Sequence, residues 1–326
     1  MKKKVCLLIL SAVLVGSGLI QPALGQEYPT KPIELVCPFP AGGTVDMLSR
    51  SFAESASKHL GQRMVVVNKP GAGQTIGAAD VVGAKPDGYK IAMLPNTYFA
   101  ITVKTQKIPF DPDDLVPLGS LCEWRNGMSV KSDSPHKTLG DLLDYAKKNP
   151  GKLRWAQAAR GEVPQLCALL IFKKAGVVKT TEIPYKGSPE AVAAVLGGHV
   201  DAASLSVGSA MGQVKAGTMR LLVTYGDQRQ KNFPDVPCST ELGFEDPAKL
   251  TTYFGLFIHK GTPEKIRETL INVMKKTWQD QALMETIEKL GNLPKFEGAE
   301  FMKESIGKAR EAGIPLIKDL GLYIGS

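Results

Sequence analysis

The sequence predicts an α/β protein of two domains, and three observations carry that prediction. Short apolar strands alternate with amphipathic helices. The alternation lapses and restarts once, near Met128. Connections are short and marked by Gly and Pro, the pattern of a largely parallel sheet.

Residues 1–25 read as a cleaved export signal. Met1-Lys2-Lys3-Lys4 is a basic start, residues 5–14 are apolar, and Ala23-Leu24-Gly25 is a small-x-small cleavage site. The uncharged run is short for a membrane span and is broken by Gly16, Ser17 and Gly18. Cys6 falls inside the apolar run, which argues against a lipid anchor. No later segment approaches the roughly 20 apolar residues of a spanning helix. The mature chain is therefore expected in the periplasm, and its 301 residues suit two domains of roughly 100–200 residues each.

In the first half, residues 33–39 form an apolar strand that runs into the loop Pro40-Ala41-Gly42-Gly43-Thr44. The helix after it carries Leu48, Phe52, Ala56 and Leu60 on one face, with Gly61 as its C′ residue. Residues 64–68 are the next strand, 76–84 a small-residue helix, and 89–94 a third strand beyond the Pro86-Asp87-Gly88 turn. In the second half, Thr138 with Asp141 resembles a capping box for a helix running to residue 149. A strand at 152–158 and a helix at 164–175, stopped by Gly176, follow. Ser188-Pro189-Glu190 offers an N-cap, a proline at N1 and an acid in the first turn. Strands at 200–207 and 219–224 complete this half. Residues 252–259 return as a strand, and Thr262-Pro263-Glu264 opens a helix with Ile266, Leu270, Val273 and Met274 on one stripe. These restarts assign residues 26–122 and 250–326 to one discontinuous domain and 123–249 to the second.

The formal net charge is +8, of which Lys2, Lys3 and Lys4 supply three, leaving +5 beyond residue 25. Its basic residues are scattered, with no block of five, which favours a solvated surface; a weakly positive field could steer an anionic ligand, and no nucleic-acid partner is expected. Cys37, Cys122, Cys167 and Cys238 are too few for a disulfide framework. Cys37 and Cys167 fall on apolar faces as small buried thiols, while a Cys122–Cys238 pair stays open. His59, His136, His199 and His259 have no metal-ligand spacing and read as surface or loop-edge residues.

Three loops between a strand and a helix are candidate sites. Pro40 to Asp46 combines two glycines with a helix start, so it is either a tight structural turn or a place where unpaired N–H groups meet an anion. Asp46 reads as a helix-start acid or loop brace. Pro70-Gly71-Ala72-Gly73-Gln74-Thr75-Ile76-Gly77 nearly matches a dinucleotide fingerprint, but its last glycine is one residue late and no strand-ending acid follows at the required distance. Packing of a helix on the sheet accounts for it better than a cofactor. Ala158-Ala159-Arg160-Gly161-Glu162-Val163-Pro164 is the second half's counterpart of the first loop, so the two can face each other across a cleft. There is no nucleophile elbow, His-x-x-x-His pair or paired-cysteine motif. We therefore expect no catalytic set, no metal and no cofactor.

At this point the residues resemble a known family. Pro38-Phe39-Pro40-Ala41-Gly42-Gly43-x-x-Asp46, Asn68-Lys69-Pro70-Gly71-Ala72-Gly73, Lys85-Pro86-Asp87-Gly88-Tyr89, Pro184-Tyr185-Lys186-Gly187 and Gly197-Gly198-His199-Val200-Asp201 occur in order. They look like the Bug-type substrate-binding receptors of tripartite tricarboxylate transporters, over essentially the whole mature chain. The resemblance implies a type II periplasmic-binding-protein fold that closes like a Venus flytrap on a small organic acid. It also implies a membrane transporter, or a sensor kinase, as partner, and a monomer. By position, one pincer is Phe39, Pro40, Ala41, Gly42, Gly43, Thr44 and Asp46, and the other Ala159, Arg160, Gly161 and Glu162, with Asn96, Thr97 and Ser206 lining the rest.

One departure matters. Where the family's second loop ends on a small hydroxyl residue, this chain has Glu162. A buried, unpaired carboxylate beside a ligand carboxylate is strongly unfavourable. Glu162 therefore pairs with Arg160 or with a cationic nitrogen of the ligand, or it points out of the cleft. An exported enzyme using a nucleotide-type cofactor is the alternative function, and a regulator's effector domain a third. The export signal and the lack of a helix-turn-helix count against the third.

Overall fold

The computed structural model describes residues 28–158 and 161–324. The predicted export signal, Ala159 and Arg160 lie outside the described residues. In chain order the elements begin with β1 (Ile33–Cys37), α1 (Thr44–Leu60), β2 (Met64–Asn68), α2 (Thr75–Val82) and β3 (Lys90–Pro95). A π-helical turn, Tyr98–Thr102, then runs into α3 (Val103–Thr105). After β4 (Leu115–Trp124) come β5 (Asn126–Lys131), α4 (Leu139–Lys148), β6 (Arg154–Gln157), α5 (Val163–Lys174) and β7 (Thr181–Pro184). The series continues with α6 (Ser188–Leu196), β8 (Ala202–Ser206), α7 (Val207–Lys215) and β9 (Met219–Tyr225). It ends with β10 (Thr252–His259), α8 (Glu264–Thr277), α9 (Gln281–Lys289), β11 (Leu293–Pro294) and α10 (Ala299–Asp319).

Two sheets result. The first has the order β11-β4-β10-β3-β1-β2, the second β7-β6-β8-β5-β9. Neither is largely parallel, contrary to the expectation from alternation. β1 runs parallel to β2 and β3, and β6 to β7 and β8, but β10 is antiparallel to β3 and β4, and β5 to β8 and β9. The cause is a pair of crossings. β4 leaves the first sheet at Trp124, and after Arg125 alone the chain enters the second sheet as β5. The chain returns before β10, which lies between β4 and β3. Strands that cross between sheets run against the βαβ direction.

Helices cover both faces of each sheet. Leu48, Phe52, Ala56 and Leu60 of α1 bury with α8 and α9 on one face of the first sheet, and Ala78 and Val81 of α2 on the other. Around the second sheet, α4 and α5 cover one face, α6 and α7 the other. α10 serves both: Met302 joins the first sheet's core, while Ala309 and Ile317 join the second's. All four described cysteines are buried and free, so Cys122 and Cys238 are unpaired. Among the described residues no helix is long and apolar enough to cross a membrane.

Local signals mostly hold. Gly61 ends α1 in the left-handed region, φ 66°. Thr138 caps α4 with both bonds of the box present, so Thr138→Ala should cost about 1 kcal/mol of stability in urea titrations. Two expected starts shift. α6 takes Gly187 as its N-cap, with Ser188 already helical, and α8 takes Pro263, leaving the Thr262 hydroxyl buried without a partner. His136 is also not at the surface: it packs 4.9 Å from the Tyr145 ring, and burial pushes its pKa down.

Candidate functional site

A cavity of about 400 Å³ opens between the sheets. Its walls are the starts of five helices: Gly43, Thr44 and Val45 of α1, Gln74 of α2, Glu162 and Val163 of α5, Gly187 and Ser188 of α6, and Ser206 of α7. The first two approach from the first sheet, the last three from the second. Each helix follows directly on a strand (β1, β2, β6, β7 and β8), so the cavity lies outside carboxyl ends of strands in both sheets. None of the five carries a side-chain cap. Each helix start brings roughly half a positive charge and N–H groups short of partners. Five together suit an anion, and among the described residues lining the cavity the only lysine or arginine is Lys186.

Hydroxyls join the two walls. Thr44 Oγ1 lies 2.7 Å from Ser209 Oγ and 3.4 Å from Ser206 Oγ, and the two serines are 2.6 Å apart. Behind them, Asp46 accepts from the Gly42 N–H at 2.9 Å, the Asn68 amide at 2.8 Å and Arg50 Nε at 3.0 Å. Burial works against its charge, but Arg50, the Gly42 N–H and Asn68 together hold the carboxyl below its usual range. Asp46 fixes the first loop from outside the cavity. The apolar wall is aromatic: Trp124 and Phe254 have ring centroids 4.5 Å apart, and Phe39 and Phe254 5.7 Å.

The described end of the second loop, Gly161 and Glu162, reaches the opposite side of the cleft. Gly161, at φ +78°, donates to Gln165 Oε1 at 2.5 Å, and an added Cβ there would sit 2.3 Å from Thr105 Oγ1 of α3. Only glycine lets this loop come so close to the opposite wall. Glu162 lines the cavity and accepts a hydrogen bond from the Gln74 side chain, which comes from the other sheet's α2. Burial pushes the Glu162 carboxyl up to about 7, and the bond from Gln74 opposes this only in part. A strip of Glu162 surface still faces the cleft.

Of the expected site residues, Phe39, Pro40, Gly43, Thr44, Thr97, Glu162 and Ser206 line this cavity. Ala41, Gly42, Asp46 and Gly161 belong to the two loops but are not in its lining. Asn96 turns away: its Oδ1 accepts from the Tyr253 N–H at 2.8 Å, bracing the start of β10. The second glycine-rich loop, expected to serve helix packing, does pack Gly77 against Pro38, but its Pro70 to Gln74 also line the cleft. Tyr185 to Pro189 line it too and were not among the expected site residues, although that segment carried a family motif and a helix start. Trp124, Asn126, Thr252 and Phe254 were hidden because they sit where strands cross between sheets.

Two sheets joined at crossing strands, with a cleft between them walled by helix starts, have the architecture of a two-lobed solute-binding receptor. The model of the tripartite tricarboxylate transporter family receptor matches residues 48–322. A UPF0065 protein in the gbd 5' region of Cupriavidus necator is 36% identical over 317 residues, 96% of this chain and 94% of that one. The periplasmic binding protein BugD superposes with a TM-score of 0.84 at 28% identity, covering 91% of this chain and 99% of that one. Rpa4515 of R. palustris, solved with adipate, gives 0.84 at 25% identity, covering 90% and 99%. The chain belongs to the tripartite tricarboxylate transporter receptor family.

Proposed function

We propose that this protein is a periplasmic receptor that closes its two lobes on a small organic carboxylate and releases it unchanged. The lobes are residues 26–122 with 250–326, and 123–249, turning about the crossings at Trp124–Asn126 and Leu250–Thr252. The observation that carries the reading is the convergence of five uncapped helix starts, from both lobes, on one cavity. Their N–H groups suit a carboxylate, and their contribution is complete only when the lobes meet. The adipate held by the R. palustris relative supports the ligand class. The closed form is then what membrane transporter subunits, or a sensor kinase, detect, with the receptor acting as a monomer after removal of residues 1–25. The Glu162 carboxylate in the cleft favours a ligand that carries a nitrogen group beside its acid.

Native mass spectrometry of freshly purified protein tests this directly. One small acid should be retained per chain and recovered with its mass unchanged. A chemically altered product, or retention of a nucleotide, would return the exported enzyme to first place.

A further inference from the structure

The cleft contains a feature that a simple acid does not use. Glu162 and Gln74 stand at opposite helix starts, one on each lobe, and meet in the cavity wall. Among the described residues lining the cavity the one full cation is Lys186, whose backbone N–H, not its ammonium, bonds Glu190. Lys186 is exposed, and no ion pair between it and Glu162 occurs among the described residues. Gln74 is 3% exposed, holds a left-handed backbone at φ 73°, and leaves its Oε1 buried without a partner. A non-glycine residue in that region costs about 1 kcal/mol or more and tends to persist at functional sites. The pair is thus rich in acceptors and short of donors. The same cavity has an aromatic wall of Phe39, Trp124 and Phe254.

We propose that Glu162 and Gln74 form an acceptor subsite for an N–H-bearing, cationic end of the ligand, so that the receptor selects amphoteric acids over diacids. This rests on the carboxylate reading above. The ligand's carboxylate takes the helix starts around Thr44, its ammonium answers Glu162, and its apolar body lies on the aromatic wall. A second carboxylate at that end would meet the Glu162 charge, and among the described residues lining the cavity only the exposed Lys186 could offset the repulsion.

Matched probes test it by calorimetry at pH 8 and fixed salt: adipate against 6-aminohexanoate, and terephthalate against 4-(aminomethyl)benzoate. The wild type should prefer the amino member of at least one pair by roughly thirtyfold or more, the scale of a truncated buried charge pair. Glu162→Gln, and Glu162→Ser as a second variant, should abolish or reverse that preference. Arg160→Gln tests whether that arginine answers Glu162 in place of the ligand. Equal or tighter binding of both diacids by the wild type, or a preference that survives both Glu162 variants, overturns the subsite. So does a preference that emerges only once Arg160 is removed, since the arginine and not the ligand would then answer Glu162. Hexylamine, which lacks the acid, separates the two readings. If it binds as tightly as 6-aminohexanoate and still depends on Glu162, the subsite stands and the carboxylate reading falls.

Discussion

Glu162→Gln should make the empty protein more stable at pH 8, by at most about 3 kcal/mol, while costing it ligand selectivity. A glutamate ordinarily titrates near 4.5, and burial in this cleft moves Glu162 to about 7. The folded protein therefore binds that proton more tightly than the unfolded chain does. The stability this gives is fully present below pH 4.5 and is lost as the pH rises through about 7. Above that, the empty fold holds an ionised carboxylate in a crowded wall, and each tenfold in proton affinity is worth about 1.4 kcal/mol. The amide carries no charge to desolvate and keeps a bonding group for Gln74. The difference in urea midpoint between variant and wild type should be small at pH 4.5 and grow to a plateau near pH 8. A difference that does not change with pH would mean that water reaches Glu162 freely. Residues at binding sites often lower stability in this way.

Gly208→Val should lower ligand affinity about a hundredfold with the secondary structure intact. Gly208 lies in the first turn of α7, on the lobe of the second sheet. A Cβ there would stand 1.9 Å from the Leu290 carbonyl oxygen and 2.8 Å from Thr44 Cγ2, both on the other lobe. The nearest obstacle is backbone, so no side-chain rotation relieves it. Either the lobes part or the closed form takes on strain, and overpacking of this kind costs typically 1–3 kcal/mol. The effect falls at the upper end because the same displacement pulls Thr44 from Ser209, 2.7 Å away in the native protein. Circular dichroism should stay native while calorimetry shows the loss. Wild-type affinity in this variant would mean that the approach of α7 to Leu290 is not needed for binding.

How much of this was legible in the sequence differs between local and long-range features. The Thr138 capping box, the buried stripe of α1 and the left-handed Gly61 are decided within a few residues, and they stand where periodicity and turn chemistry put them. The mixed sheets were not legible, because β4 and β5 form one near-continuous extended run whose two ends pair in different sheets. Nothing local marks Arg125 as the crossing. The first loop was found because two glycines beside a helix start are a local signature. Gln74 was not, because its loop is explained just as well by the packing of Gly77 on Pro38, and its importance comes from Glu162, 88 residues away. Asn96 failed in the opposite sense. It stands one residue beyond β3, where lining residues are expected, yet its Oδ1 accepts from the Tyr253 N–H and its side chain braces β10 instead of lining the cleft.

Closure on a small acid is the central claim, and small-angle X-ray scattering on the mature protein tests it most directly. Saturation with the acid that co-purifies should lower the radius of gyration, and the acid should be recovered unchanged from the same sample. An unchanged scattering profile at saturation, or recovery of an altered compound, would contradict the account.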